Sequence, residues 1–248
     1  MSIDLSYALI AIPRTEKSTA FLQGQVTCLV GDHLEKEASF GAHCNAKGRL
    51  MSFFILFVRG DHYYLLLPTL MQQPTYDNLF PYARLSRVAL TCLDVSVKGV
   101  VRENATPLKI SHYETSMQID YVGNRAFVID WNNTQTHKAI NWDDWHVEDM
   151  LAKIPRIYPE TRDKFLPHYL GLLELAGAVR FDKGCYIGQE IIARMEFRGN
   201  VKKGLVLLRT TEDLSGAMLG EKIVIEGIDG VLVDKALYQG EWVVLVVQ

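Results

Sequence analysis

The sequence predicts an α+β fold that ends in a small antiparallel β unit, and three observations carry that expectation. Apolar residues make up 48% of the 248 positions and charged residues 22%, the balance of a folded chain with a sizeable core. Short apolar runs closed by Gly, Pro and Asn recur along the chain, interrupted by a few longer stretches of helical period. After Gly199 the texture changes to β-rich runs only, which places a boundary near residue 198 and divides the chain into 1–198 and 199–248.

In order, YALIAI (Tyr7–Ile12), closed by Pro13, predicts a strand. Ser18 is placed to cap a short helix through Leu22, with Gln23–Thr27 leaving as a turn. The polar, glycine-containing HCNAKGR (His43–Arg49) predicts a turn between strands. Leu50–Val58 and Tyr63–Leu67 flank Arg59-Gly60-Asp61-His62 and predict a hairpin. Leu70–Leu85 has helical period, with Leu70, Tyr76, Leu79, Phe80 and Ala83 on one face, although Pro74 and Pro81 lie inside it. Val88–Val95 returns to strand, as do Gln118–Tyr121 and Arg125–Ile129 around Gly123-Asn124. Trp142–Ile154 predicts an amphipathic helix stopped at Pro155, and 156–177 a mixed connection. Val201–Arg209, Lys222–Glu226, Val231–Tyr238 and Trp242–Val247 are the runs of a small barrel or sandwich.

Composition also excludes several classes. A net charge of −3 gives no electrostatic footing for direct nucleic-acid binding. The most apolar stretch, SFFILFVRGDHYYLLLP, is broken by Arg59, Asp61 and His62 before it reaches spanning length, and the first residues do not read as a secretion signal. Cys28, Cys44, Cys92 and Cys185 form no CxxC pair and fit no zinc spacing, so four reduced thiols in a cytosol are expected. His43 beside Cys44 could ligate a metal, but a turn role is the stronger reading. No GxSxG, Walker or dinucleotide fingerprint is present.

FDKGCYIGQEIIAR (Phe181–Arg194) is the stretch with chemistry to explain. Cys185 lies between Gly184 and Gly188, two residues from Lys183 and just before the predicted helix Ile187–Glu196, whose amino end carries partial positive charge. Both features favour the thiolate, the reactive and metal-binding form. Glu190 and Arg194 are spaced to pair on the helix surface. A lone cysteine is otherwise most often a small buried hydrophobe. An iron–sulfur cluster needs four protein ligands, so one at Cys185 would have to be shared with another molecule.

KGCYIGQE (Lys183–Glu190) resembles the K-G-C-Y-x-G-Q-E motif of the YgfZ family, folate-binding relatives of the glycine-cleavage T-protein. FLQGQVT (Phe21–Thr27), AHCNAKGR (Ala42–Arg49), the approach from Phe165 to Tyr186 and EFRGNVKKGL (Glu196–Leu205) resemble the same family. The resemblance implies a multi-part T-protein-like body around a central opening, two intertwined subdomains within 1–198, and a C-terminal antiparallel β-barrel. It implies binding of tetrahydrofolate or another folate. It also implies a role in assembling or repairing iron–sulfur clusters in client enzymes, with tRNA modification supported indirectly.

By the same resemblance Cys185, helped by Lys183, is the functional thiolate and a transient shared cluster ligand. The folate site falls to Trp145, in NWDDWHVED (141–149), and to Tyr7, where the family has a tryptophan. Gln189, Glu190 and Arg194 are further candidates, and Arg194, Arg198 or Lys47 could meet the folate tail. Iron–sulfur carrier or client proteins are the expected partners of a cytosolic monomer. Gly48-Arg49-Leu50-Met51-Ser52-Phe53 stands where the aminomethyltransferase has its acidic residues, so classical transferase catalysis is not expected. The alternatives are a folate-dependent one-carbon transferase or demethylase, a single-cysteine redox protein, and a binding module with a buried cysteine.

Overall fold

A computed structural model describes residues 2–132, 142–199 and 201–248. Its elements are β1 (Ser2–Asp4), β2 (Tyr7–Pro13), α1 (Glu16–Gln25), β3 (Ser39–Cys44), β4 (Leu50–Arg59), β5 (His62–Pro68) and α2 (Thr69–Ser86). They continue as β6 (Thr91–Leu93), β7 (Ser96–Val101), β8 (Ile110–His112), β9 (Ser116–Tyr121), β10 (Arg125–Asp130), α3 (Trp142–Leu151) and α4 (Gln189–Arg198). The chain closes with β11 (Leu205–Thr210), β12 (Lys222–Ile225), β13 (Ile228–Tyr238) and β14 (Glu241–Val247).

The described strands make three antiparallel sheets, ordered β3-β4-β5-β2-β6, β1-β7-β10-β9-β8 and β11-β14-β13-β12. The first is buried on both faces, which is why its strands read as continuous apolar runs rather than as alternations. Leu9 and Ala11 of β2 face one core with Ile119 and Phe127 of the second sheet, while Ile10 and Ile12 face the other core with Leu22 of α1 and Leu79 of α2. The hairpin forms as expected, with Arg59 opposite His62 and Gly60 at φ +58°.

Several elements differ from the sequence expectation. Thr15, not Ser18, caps α1: its extended backbone lets Oγ1 accept from the Ser18 amide at 3.1 Å. The helix then runs to Gln25, through the expected turn. In α2 the buried stripe is Met71, Thr75, Leu79 and Ala83, while Leu70 and Phe80 are exposed. Pro74 and Pro81 lie off that stripe, so the carbonyls they leave unbonded do not face the core. The strand expected over Val88–Val95 is confined to Thr91–Leu93, and β1, β7 and β8 had no clear signal. Asn141, the first residue of the expected tryptophan-containing stretch, falls outside the described residues.

The C-terminal strands form an open sheet, not a closed barrel. β11 pairs only with β14 and β12 only with β13, whereas closure would require the two edge strands to pair with each other. One face of this sheet covers Leu214, and the other sends Val233, Val243 and Leu245 into the core that holds Val147 and Met150 of α3. No helix among the described residues is long and apolar enough to cross a membrane.

Candidate functional site

The stretch around Cys185 is tied down at nearly every residue but the cysteine. Lys183 Nζ donates to the carbonyls of Val26 and Cys28, each at 2.6 Å, beside the Tyr186 ring. Burial pushes its ammonium down to about 8, and the two carbonyl oxygens favour the charged form, so it keeps its proton at neutral pH. The Arg180 amide bonds Thr27 and the Ile187 amide bonds Gly24, fastening both ends of the loop to the segment after α1. Tyr186 is buried, and its amide donates to Gln189 Oε1.

Gly188 precedes α4 with φ +83°, and a Cβ there would stand 2.5 Å from the Asn45 carbonyl oxygen. The Asn45–Gly48 turn packs that closely because Gly48 in turn lies against Ile191 and Ile192. Asn45 holds the turn by accepting from the Lys47 and Arg49 amides, at 2.9 and 3.1 Å.

Cys185 is exposed, which sets aside the reading of a buried filler. It lines an open depression of about 700 Å³ with Ala46, Phe181, Ile191 and Phe197, and the two phenylalanine rings meet edge-on at 5.2 Å. Lys183 is on this loop, but its ammonium is engaged by the Val26 and Cys28 carbonyls. Glu190 and Arg194 are exposed on α4, and no ion pair among the described residues joins them. Cys28 and Cys44 are buried, and burial pushes the Cys28 thiol up to about 11 and the Cys44 thiol higher still. His43 and Cys44 end β3, both buried, and no group of three or more metal-ligating side chains occurs among the described residues.

A second cavity, narrow and of about 20 Å³, shares no described lining residue with the first. Tyr7, Phe40, Phe53 and Tyr121 supply its aromatic walls, and Asp149 and Arg156 its charges. Asp149 is held between two guanidinium groups: Arg125 Nη1 donates to Oδ1 at 2.8 Å and Arg156 Nη2 to Oδ2 at 2.9 Å. Asp149 thus joins the two guanidinium groups inside a largely dry site, where charge interactions are stronger than in water. Arg156 also hydrogen-bonds the Tyr7 phenol, whose pKa burial raises to about 12 against the pull of that cation.

Trp145 is not on the cavity wall. It lies one layer behind, stacked on Tyr121 with ring centroids 5.8 Å apart, with the Arg125 guanidinium 4.7 Å from its ring centroid. Its indole nitrogen is buried and has no hydrogen-bond partner among the described residues.

No protein-family model matches the chain. An uncharacterized protein of Haemophilus influenzae is 31% identical over 206 residues, covering 82% of this chain and 71% of that protein. The tRNA-modifying protein YgfZ of Photobacterium profundum is 30% identical over 223 residues, covering 82% of this chain and 67% of the relative. The protein of the same name from Aliivibrio fischeri is 30% identical over 219 residues, with 82% and 68% covered. The chain belongs to the YgfZ family.

The fold agrees with that membership. A crystal structure of the glycine cleavage system aminomethyltransferase T from Bartonella henselae superposes with a TM-score of 0.67 over 99% of this chain and 77% of that one, at 13% identity. The YgfZ-type chain is therefore a T-protein-like assembly of three antiparallel sheets. Of the residues singled out in the sequence, Cys185, Gln189 and Glu190 line the open depression, Tyr7 lines the aromatic cavity, and Trp145 backs that cavity. Sequence reasoning passed over Asp149, Arg156, Arg125 and Tyr121. Asp149 was one helical turn beyond Trp145 in the same stretch, which was the available signal. Arg156 follows Pro155, where the sequence shows only the end of a helix.

Proposed function

We propose that this chain is a folate-binding accessory factor that presents one thiolate, Cys185, to iron–sulfur proteins during cluster assembly or repair. The observation that carries this reading is the division of labour in Lys183–Glu190. Lys183, Tyr186, Gly188 and Gln189 each hold the loop in place, while Cys185 is exposed and makes none of those ties. A cysteine held on a braced loop at the foot of α4 suits a ligand that must be offered and withdrawn. It supplies one of the four ligands a cluster needs, so the cluster is cargo shared with a carrier or client protein. The names of the relatives connect the family to tRNA modification, which this reading explains indirectly, through client enzymes that thiolate tRNA.

The lining of the aromatic cavity suits a pterin, which its walls would have to part to admit. Tyr7, Phe40, Phe53 and Tyr121 offer flat apolar walls, and Arg156 and Asp149 offer a donor and an acceptor for the polar edge of the ring. Tetrahydrofolate, when bound, supplies a reduced pterin that can carry a one-carbon unit. The transferase alternative is disfavoured because both oxygens of Asp149 are engaged by arginines and Phe53, from Gly48–Phe53, faces the cavity in place of a carboxylate. Glu190 lines the depression with Cys185 and Arg194 is exposed on the same helix, where both are open to a partner protein; the four free thiols suit a cytosolic factor, which we take to be a monomer.

The test is Cys185→Ala in cells lacking the endogenous factor, with wild type beside it. The variant is expected to fold, to bind tetrahydrofolate with unchanged affinity by calorimetry, and to lose support of client iron–sulfur enzyme activity. Client activity equal to wild type would remove the cysteine from the mechanism.

A further inference from the structure

A second buried polar group joins α3 to the C-terminal sheet. His146 Nε2 lies 2.8 Å from Asp234 Oδ2. The Tyr158 hydroxyl lies 3.1 and 3.0 Å from the two oxygens of Asp234 and 3.2 Å from His146 Nε2. Asp234 is only 2% exposed and stands where the β13–β14 register shifts, a bulge that re-aims the side chain. A charged side chain does not enter an interior without partners that repay its desolvation, and here the partners come from two other segments.

This group is continuous with the aromatic cavity. His146 is on α3, the helix that carries Asp149, and Tyr158 follows two residues after Arg156. Arg156 hydrogen-bonds Tyr7 and Tyr158 as well as Asp149, and its charge is stabilised in part by Asp234. Arg125 and Arg156 are two buried cations, and Asp149 and Asp234 are two buried anions.

We propose that Asp234, from the C-terminal sheet, is a positioning residue for the aromatic cavity: by holding Tyr158 and His146 it sets Arg156 and α3, and so links ligand occupancy of the cavity to the seating of the sheet. The second of the two measurements below rests on the cavity being the folate site; the first does not. The linkage is reciprocal by necessity, so a ligand in the cavity also tightens β13.

The first measurement is amide hydrogen exchange of the full chain without ligand. Asp234→Asn is expected to speed exchange at least tenfold in α3 and in 152–158 as well as in β13, while β2, β4 and β5 stay as in wild type. Tyr158→Phe, which deletes a single hydroxyl and leaves the charge, gives the same pattern at about threefold. Acceleration confined to β13 in both variants overturns the proposal.

The second measurement uses 5-formyltetrahydrofolate. Saturation should slow exchange in β13 of wild type, Asp234→Asn should lose that slowing and about tenfold in affinity, and Asp229→Asn, an exposed change on the same strand, should lose neither. Equal affinity and equal protection in Asp234→Asn overturn the linkage and leave the folate assignment standing. Wild type that does not bind the folate removes that assignment, and the exchange pattern without ligand still decides the role of Asp234.

Discussion

Gly184 and Gly188 flank the same cysteine loop and look alike in sequence, yet their replacement by alanine should have opposite consequences. A Cβ at Gly184 meets nothing within 4 Å. At Gly188 it meets the Asn45 carbonyl oxygen at 2.5 Å and the Gly48 Cα at 2.9 Å, both backbone atoms that no rotamer change can move aside. The backbone at Gly188 also has φ +83°, which costs an L-residue roughly 1–2 kcal/mol. Forcing apart two packed turns adds about 1–3 kcal/mol. Gly188→Ala is therefore expected to lose about 3 kcal/mol in urea denaturation followed by circular dichroism, with Gly184→Ala within about 0.5 kcal/mol of wild type. Because the Asn45–Gly48 turn braces the cysteine loop, Gly188→Ala should also change the alkylation rate of Cys185 in the folded protein. If the two variants were equally stable, the close packing of these turns, and with it the account of why the motif needs its second glycine, would be wrong.

Three further outcomes follow from the same geometry. Alkylation of the native protein at neutral pH should modify two thiols, Cys92 and Cys185, with Cys28 and Cys44 reacting only on unfolding; peptide mass spectrometry showing fast labelling at Cys44 would contradict the burial described here. Lys183→Met leaves the Val26 and Cys28 carbonyls without their donor and should cost about 2 kcal/mol, and a loss under 0.5 kcal/mol would show that the lysine does not pin the loop. Burial, reinforced by Arg162, lowers the pKa of His43 to about 4 from 6.5, so the neutral ring is the folded form. The unfolded chain then binds the extra proton, and the contribution is complete above pH 6.5 and lost as pH falls towards 4. It amounts to about 3 kcal/mol, so the fall in stability between pH 7.5 and 4.5 should shrink by about that much in His43→Gln, and an unchanged slope would refute it.

How much of this was legible in the sequence depends on where each signal was written. β4 and β5 were legible because ten and seven residues of apolar run flank a turn containing Gly60, all within one local stretch. β7 was not, because its polar residues conceal it: Lys98 and Ser96 sit on a strand whose place is set by pairing with β1 and β10, far apart in sequence. The face of α2 was misjudged for a related reason. Leu70 and Phe80 are apolar yet exposed, while the polar Thr75 is fully buried, since the helix is oriented by Met71, Leu79 and Ala83 against the first sheet. At the candidate site, Cys185 was legible from a compact motif. The Arg125–Asp149–Arg156 arrangement was not, because a strand, a helix and a connection each contribute one charge and no spacing records their meeting.

If the proposed function holds, the two cavities keep its two chemistries apart. Under that proposal, a metal-binding thiolate at Cys185 needs water and access, whereas a pterin stacked in the aromatic cavity beside Arg156 needs exclusion of water to make those contacts strong. The first sheet satisfies both needs. On one core it supports α1 and, through Val26 to Cys28, the loop that holds up Cys185; on the other it supplies Tyr7, Phe53 and Ile55 to the aromatic cavity. β2 and β4 thus contribute to both places with alternate residues. A ligand that shifts β2 by its ring contact with Tyr7 must act on a strand whose other face packs against α1, the helix that leads into the carbonyls bound by Lys183. Any influence of folate on the cysteine would travel by that route, through packed strands, since no side chain lines both cavities.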